Sequence, residues 1–287
     1  MLTIARVKTA SIILCTVLLT GVQMYPKDAV FRQEAALTGD MEVALSSAPT
    51  PISLELGRTN DETGSEVDVD REVVEVVPDF RVITNVLDLK RTFFDFLAPK
   101  INAANANIRQ DRKWLLSIQS QGLEETHGAR LRSLAREYKV ADDRKLAILL
   151  RELMLRVDEI PVSLVLAQGA TESGWGRSRF AREANNFFGI WCFSSGCGLT
   201  PLSRDAGRTH QVARFATVAD GVRRYMNNIN SHRAYADFRH IRATLKPSEP
   251  AGIALAEGLK HYSERGRDYV QDIKRMIRSN QLARFDH

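Results

Sequence analysis

Glu172 is the one carboxylate in a segment that is otherwise apolar, small or uncharged and that ends in a Ser-Gly-Trp-Gly turn. Residues 160–170 are almost all apolar or small, which predicts a helix that is buried on most faces. Apolar surroundings favour the neutral form of a carboxyl group, because the charged form is desolvated. A general acid needs this property, since it must still hold its proton near neutral pH. We therefore predict that Glu172 donates a proton in catalysis.

The turn after Glu172 offers a flat aromatic surface. Gly174 and Gly176 let the chain leave the helix, and Trp175 belongs to the residue type that stacks on sugar rings. A structural role for Glu172 stays open, because glutamates at helix ends often do no more than hydrogen-bond a neighbouring loop. The pattern alone does not choose between the two roles.

Apolar periodicity predicts the elements that position this segment. From residue 79 onward apolar residues recur at helical spacing, whereas residues 185–215 are rich in glycine and predict an irregular lobe with small hairpins. Pro161 suits the first turn of the helix that carries Glu172, and Pro99 is expected to interrupt an earlier helix. The predicted fold is α+β, mainly α, with a small inserted β lobe. The other predicted helices are residues 80–97, 101–120, 123–138, 142–155, 218–230, 248–259 and 268–279.

The N-terminal residues have the composition of an export signal. Arg6 and Lys8 precede an uncharged stretch, residues 9–24, which is typical of a signal peptide or a short membrane anchor. We predict that residues 1–25 are one or the other and that the chain leaves the cytoplasm. The lack of a clear cleavage site favours the uncleaved anchor.

The charge of the chain is unevenly distributed. Residues 26–78 contain 12 acidic and 4 basic side chains and no helical periodicity, which predicts an acidic flexible linker. The rest, residues 79–287, is then a basic folded domain. A cationic domain suits an anionic polymer such as a cell wall that bears carboxylates. Nucleic acid would fit the charge equally well, but the export signal argues against it.

Cys192 and Cys197 are separated by four residues. In an oxidising compartment this spacing favours a disulfide that closes a small loop. A metal site would need further Cys or His ligands close by, and His210, the nearest histidine in sequence, is alone. We predict the disulfide and no metal, with a metal site or free thiols as the alternatives.

Two of these motifs together indicate a family. The run 167–176, followed by the Asn-Phe-Phe-Gly-Ile sequence of residues 186–190, resembles the bacterial glucosaminidase domain of glycoside hydrolase family 73, which is found in autolysins. The similarity extends to the tyrosine segment at residues 262–266 and covers residues 79–287. It implies a lysozyme-like domain that acts as a β-N-acetylglucosaminidase on the glycan strands of peptidoglycan, without a metal or organic cofactor.

The resemblance also implies roles for individual residues. Glu172 matches the catalytic acid, and Tyr262 matches the tyrosine that lines the cleft beside the reacting sugar. The residues expected to bind substrate are Trp175, Asn186, Phe188, Gly189 and Tyr269.

The second catalytic group is not fixed by the sequence. Glycoside hydrolysis needs either a second carboxylate or a substrate acetamide that attacks the anomeric carbon. Asp205 is the only acid between residues 184 and 219, so it is either the base or part of a structural turn.

The sequence is compatible with three functions. The leading prediction is an endo-β-N-acetylglucosaminidase in the bacterial cell envelope. It would be periplasmic, with the cytoplasmic membrane as a further partner through residues 1–25. The alternatives are a lytic transglycosylase of the same fold, which needs no second carboxylate, and a non-catalytic peptidoglycan-binding module.

Overall fold

A computed structural model describes residues 75–202, 209–246 and 249–286. The described chain is mainly helical and includes one small sheet, so the predicted α+β fold is confirmed. The helices are α1 (Val86–Gln121), α2 (Gly128–Glu137), α3 (Leu146–Arg156), α4 (Val162–Ser173), α5 (Arg179–Ala184), α6 (Val218–Ser231), α7 (Ala236–Thr244), α8 (Ala251–Leu255) and α9 (Arg267–Ser279). Short 3₁₀ turns lie at Glu125–His127, Arg233–Tyr235, Ala256–Leu259 and Leu282–Phe285.

The sheet follows α5, at the place where the sequence predicts the β lobe. Its strands are β1 (Trp191–Cys192), β2 (Gly198–Leu199) and β3 (Gln211–Ala213), in the antiparallel order β1-β3-β2. Leu199 of β2 and Trp191 of β1 both pair with Val212 of the central strand. Gly198 is required in β2, because a Cβ atom there would lie 1.9 Å from the carbonyl oxygen of Val212.

Helix α4, which carries Glu172, is the centre of the domain. Every residue from Val162 to Ala170 is buried, and the helix packs against α1, α8, α9 and the C-terminal 3₁₀ turn. Gly169 allows the close approach to α1, since a Cβ atom there would lie 2.9 Å from the Leu97 side chain. The apolar run in the sequence is therefore long because other elements pack against nearly all sides of this helix.

The expected break at Pro99 is wrong, because α1 continues through it as a single helix of 36 residues. Leu97 and Ile101, on either side of the proline, are both fully buried in the core. Pro99 is exposed, and so is Asp95. The carbonyl of Asp95 has no helical donor, because proline has no backbone N–H. Burial of the apolar face therefore outweighs one hydrogen bond lost on the solvent side.

Arg242 of α7 fixes the loop that leads from α3 into α4. Its guanidinium donates to the backbone carbonyls of residues 155, 156, 158 and 159, at 3.0–3.2 Å. These carbonyls have no helical partner at the end of α3, so a cation is favourable there. Burial lowers the pKa of Arg242 to about 10, which leaves it charged at neutral pH. Asn105 completes the loop by donating to the Ile160 carbonyl at 2.8 Å.

The predicted signal or anchor at residues 1–25 and most of the predicted linker, residues 26–78, lie outside the described residues. Contacts with the domain are present from Glu75, whose carboxylate pairs with Lys100 at 3.0 Å and accepts from the backbone nitrogen of Val218 at 2.7 Å. None of the helices in the described ranges has both the length and the apolar character needed to cross a membrane.

Candidate active site

Glu172 lies in the last turn of α4, where the helix emerges from the core. Gly174 ends the helix in a left-handed conformation with φ 57°. Glu172 itself is half-buried, between the fully buried Ser173 and the exposed Thr171. The carboxyl group is thus fixed by a buried helix and still reaches the surface of the domain.

Tyr269 of α9 holds this carboxyl group. Its hydroxyl donates to Oε1 of Glu172 at 3.0 Å. The same hydroxyl oxygen accepts from Nε2 of Gln168 at 2.9 Å, and Oε1 of Gln168 accepts from the hydroxyl of Tyr225. Three helices, α4, α6 and α9, therefore contribute to one continuous chain of hydrogen bonds that ends at Glu172.

Tyr262 stacks against Tyr269, with ring centroids 5.4 Å apart and planes 9° from parallel. Its hydroxyl donates to the backbone carbonyl of Phe188 at 2.9 Å. Burial raises the pKa of Tyr262 and of Tyr269 well above the ordinary tyrosine value, and the nearby charge of Glu172 raises both further. Both hydroxyls therefore keep their protons at any working pH.

The turn after α5 forms a wall behind these tyrosines. Asn186 is buried and donates to the carbonyls of Ile190 at 2.9 Å and Ala213 at 2.8 Å, so its side chain joins the turn to the sheet. Phe188 is also buried, and its ring stacks on Tyr225 with centroids 4.1 Å apart. Gly189 has φ 61°, a conformation that favours glycine. These residues therefore fix the shape of the turn that packs behind the tyrosines.

Trp175 lies on another side of α4. Its ring packs edge-on against Phe93 and Phe94, with centroids 5.6 Å apart in each case, and Lys90 lies over it at 5.4 Å. It lines an open depression of about 500 Å³ whose lining does not include Glu172. The other residues that line the depression are Lys90, Ala170, Thr171, Gly174, Asp272, Arg275, Met276, Ser279 and Asn280.

The β lobe contains the predicted disulfide, because Cys192 and Cys197 are bonded to each other. Next to it the rings of Trp191 and His210 stack with centroids 4.1 Å apart. Asp205, the candidate second catalytic group, lies outside the described residues. Among the residues that the structure does describe, no cluster of three or more His, Cys, Asp or Glu side chains could hold a metal ion.

Sequence reasoning missed Gln168 and Tyr225. Gln168 is fully buried. The sequence feature that could have indicated it is an amide side chain one helical turn before Glu172 in an otherwise apolar helix. Tyr225 lies on the apolar face of α6, where the spacing predicts no more than packing. A buried amide needs partners, so the amide could have indicated a polar network, although not the residues that complete it.

A small β lobe beside a half-buried carboxylate at the end of a central buried helix defines a lysozyme-like domain. A family model described as mannosyl-glycoprotein endo-β-N-acetylglucosaminidase matches residues 149–282. Protein bax of Escherichia coli (strain K12) is 36% identical over 211 residues, which cover 71% of this chain and 74% of that protein. No solved structure gives a significant match.

The chain belongs to the Bax-like glucosaminidase-domain family. The resemblance of its motifs to glucosaminidase domains is thereby confirmed. Membership supports a peptidoglycan-related hydrolase role and a location in the cell envelope.

Proposed function

We propose that the protein is an endo-β-N-acetylglucosaminidase that cleaves the β-1,4 bond on the N-acetylglucosamine side of peptidoglycan glycan strands. The observation that carries the proposal is the half-buried carboxyl group of Glu172, held by Tyr269 at 3.0 Å at the end of a buried helix. A glycosidase needs such an acid, fixed in position and open to the substrate. Family membership supports the choice of an aminosugar substrate.

In the proposed mechanism Glu172 protonates the glycosidic oxygen as its bond to the anomeric carbon breaks. The leaving strand departs as an alcohol, and positive charge develops on the ring of the remaining sugar. Water then adds to the anomeric carbon and gives up one proton. If ionised Glu172 accepts that proton, the protonated acid is restored directly. If a second base accepts it, proton exchange with solvent returns both groups to their starting forms.

The second group is either Asp205 or the acetamide of the substrate. As a base, Asp205 would take the proton of the attacking water. In the alternative, the acetamide oxygen attacks the anomeric carbon, and water opens the resulting ring while Glu172 serves as the base. Substitution Asp205→Asn separates the two. A loss of only a few-fold in rate for Asp205→Asn would remove Asp205 from the chemistry. Glu172→Gln should cost several orders of magnitude in rate under either mechanism.

Tyr262 and Tyr269 have different roles beside the sugar in this proposal. The resemblance gives Tyr262 the position next to the reacting sugar, and the hydrogen bond from Tyr269 to Glu172 supports a direct role for Tyr269 in the chemistry. The buried positions of Asn186 and Phe188 support a role in shaping the site wall rather than direct contact with hydroxyls. Trp175 is proposed as an outer sugar contact.

The test is digestion of purified sacculi by the parent protein and by Glu172→Gln. Reducing-end N-acetylglucosamine among the products of the parent, and its absence with Glu172→Gln, are expected. Glu183→Gln is the matched control, because it makes the same change at an exposed carboxylate on α5 that is paired with Arg179 at 3.0 Å. It should digest sacculi at the parent rate.

Two rival functions give different results in the same experiment. A lytic transglycosylase would leave anhydro-muramyl ends. It remains the alternative because it needs no second carboxylate. A non-catalytic wall-binding module would bind sacculi before and after Glu172→Gln and release no soluble fragments.

We further propose that the domain acts in the periplasm, delivered by residues 1–25 as a signal peptide or an inner-membrane anchor. Cell fractionation tests this, since an anchored protein stays with the inner membrane after a salt wash. A protein with a cleaved signal would appear in the periplasmic fraction without its first residues. Recovery in the cytoplasm would exclude both.

A further inference from the structure

Gln168 is a fully buried polar residue in an otherwise apolar part of α4. A buried amide is unfavourable unless both of its ends are hydrogen-bonded. Both ends are satisfied here, because Oε1 accepts from the hydroxyl of Tyr225 and Nε2 donates to the hydroxyl oxygen of Tyr269 at 2.9 Å. The hydroxyl of Tyr269 contacts the side chains of both Gln168 and Glu172, so it can pass an effect of the amide on to the carboxyl group.

The hydrogen bonds in this chain all run in one direction. An amide nitrogen can only donate, so the hydroxyl oxygen of Tyr269 must accept from Gln168. The single proton of Tyr269 is then left for its other neighbour, and it points to Oε1 of Glu172 at 3.0 Å. With the amide turned over, its oxygen would compete for that proton. In the described structure the hydroxyl of Tyr225 donates to the amide oxygen, and this bond favours the present orientation of the amide.

The three tyrosines whose pKa values the charge of Glu172 raises stay protonated. They are Tyr225 on α6, Tyr262 after α8 and Tyr269 on α9. Burial raises the pKa of each well above the ordinary tyrosine value, and the nearby charge of Glu172 raises it further. Each therefore has a proton to donate over the whole range in which a glycosidase works.

We infer that Gln168 is a positioning residue that makes Tyr269 a permanent donor to Oε1 of Glu172, so that Oε2 is the oxygen that delivers the catalytic proton. The inference rests on the proposed role of Glu172 as general acid. Without Gln168 the hydroxyl of Tyr269 can rotate and accept. The proton of Glu172 can then sit on Oε1, directed at Tyr269 and away from the substrate.

The test compares Gln168→Met and Tyr225→Phe with the parent, using soluble glycan oligomers so that kcat and KM can be separated. Methionine has nearly the size of glutamine but cannot hydrogen-bond Tyr269, and Tyr225→Phe leaves Gln168 in place without its fixing donor. We expect kcat to fall roughly tenfold in Gln168→Met, a small part of the ~10²–10⁴ that a positioned general acid contributes. Tyr225→Phe should cause a smaller fall. KM should stay unchanged in both.

The pH–rate profile separates positioning from a general loss of stability. Both variants keep the hydroxyl of Tyr269 but no longer hold it as a donor to Oε1, so the alkaline limb of the profile should move upward. Ser163→Ala is the matched control, because Ser163 is a fully buried polar residue at the far end of the same helix. It should lower the melting temperature and leave the alkaline limb in place.

Each outcome decides the inference. A lower kcat with an upward shift of the limb in either variant supports it. Unchanged kcat and an unchanged limb in folded Gln168→Met overturn it, while the parent still digests sacculi and the proposed function stands. If Gln168→Met does not fold, Tyr225→Phe decides by the same readouts. A parent protein that releases no fragments removes the proposed function and this inference together.

Discussion

The hydroxyl of Tyr269 donates a hydrogen bond to Oε1 of Glu172 at 3.0 Å and so joins two helices whose residues are 97 positions apart in the sequence. Tyr262 lies behind it, and its own hydroxyl donates to a backbone carbonyl. The two tyrosines therefore differ in their hydrogen-bond partners, although they are stacked on each other.

This difference predicts unequal effects of removing each hydroxyl. Tyr269→Phe should lower kcat by about 10- to 100-fold, because a hydrogen bond to a charged group contributes about 1.5–3 kcal/mol. Tyr262→Phe should reduce stability by about 1 kcal/mol and affect kcat less. Turnover of soluble glycan oligomers and urea unfolding measure the two effects. A larger fall in kcat for Tyr262→Phe would instead favour the role that the family resemblance gives it.

Gly176 and Gly174 should respond differently to alanine. Both have positive φ, 77° and 57°, which is unfavourable by about 1–2 kcal/mol for an L-residue. A Cβ atom on Gly176 would also lie 2.3 Å from the buried ring of Phe80, whereas one on Gly174 meets nothing within 4 Å. We expect Gly174→Ala to cost about 1 kcal/mol and Gly176→Ala about 3 kcal/mol or more in urea unfolding. Equal losses would mean that the Phe80 ring can move aside.

Asp286 caps the helix that carries Glu172. Its carboxylate accepts from the backbone nitrogen of Ser163 at 2.8 Å and from its hydroxyl at 2.7 Å, in the first turn of α4. Asp286→Ala should therefore cost about 1 kcal/mol in urea unfolding, the usual value of a helix cap. Asp286→Asn should cost less, because it keeps a neutral acceptor. The double variant of Asp286→Ala and Ser163→Ala should lose less unfolding free energy than the sum of the two single variants. Full additivity would contradict the contact.

Asp220 predicts a dependence of stability on pH. The hydroxyl of Thr217 donates to its carboxylate, and this bond is the main reason that the pKa of Asp220 lies below its ordinary value. A depressed pKa stabilises the fold above the unfolded-state value of about 3.9, and this contribution is lost as the pH falls through the lower folded-state value. Asp220→Asn should thus lower the melting temperature at pH 7 and reduce its fall below about pH 4. Thr217→Val should act in the same direction, and parallel melting curves for parent and variants would contradict the prediction.

Much of the fold follows from local patterns. The apolar run before Glu172 predicts α4, and the structure explains it by burial from Val162 to Ala170. The glycine-rich lobe and its disulfide also lie where the sequence places them. The prediction failed at Pro99, because a local rule about proline does not include the core that holds both sides of α1 together.

By itself the sequence determined the position of Glu172 at the end of a buried helix and the family to which these motifs belong. Helix periodicity and motif order are local properties, so they can be read along the chain. Only the tertiary structure decided which groups meet at that acid. It brought Tyr269 to Glu172 and Gln168 to Tyr225, and it turned Trp175 toward α1. These contacts depend on how α4, α6 and α9 pack. Packing brings together residues that are far apart in the sequence, so local sequence patterns do not predict which of them meet.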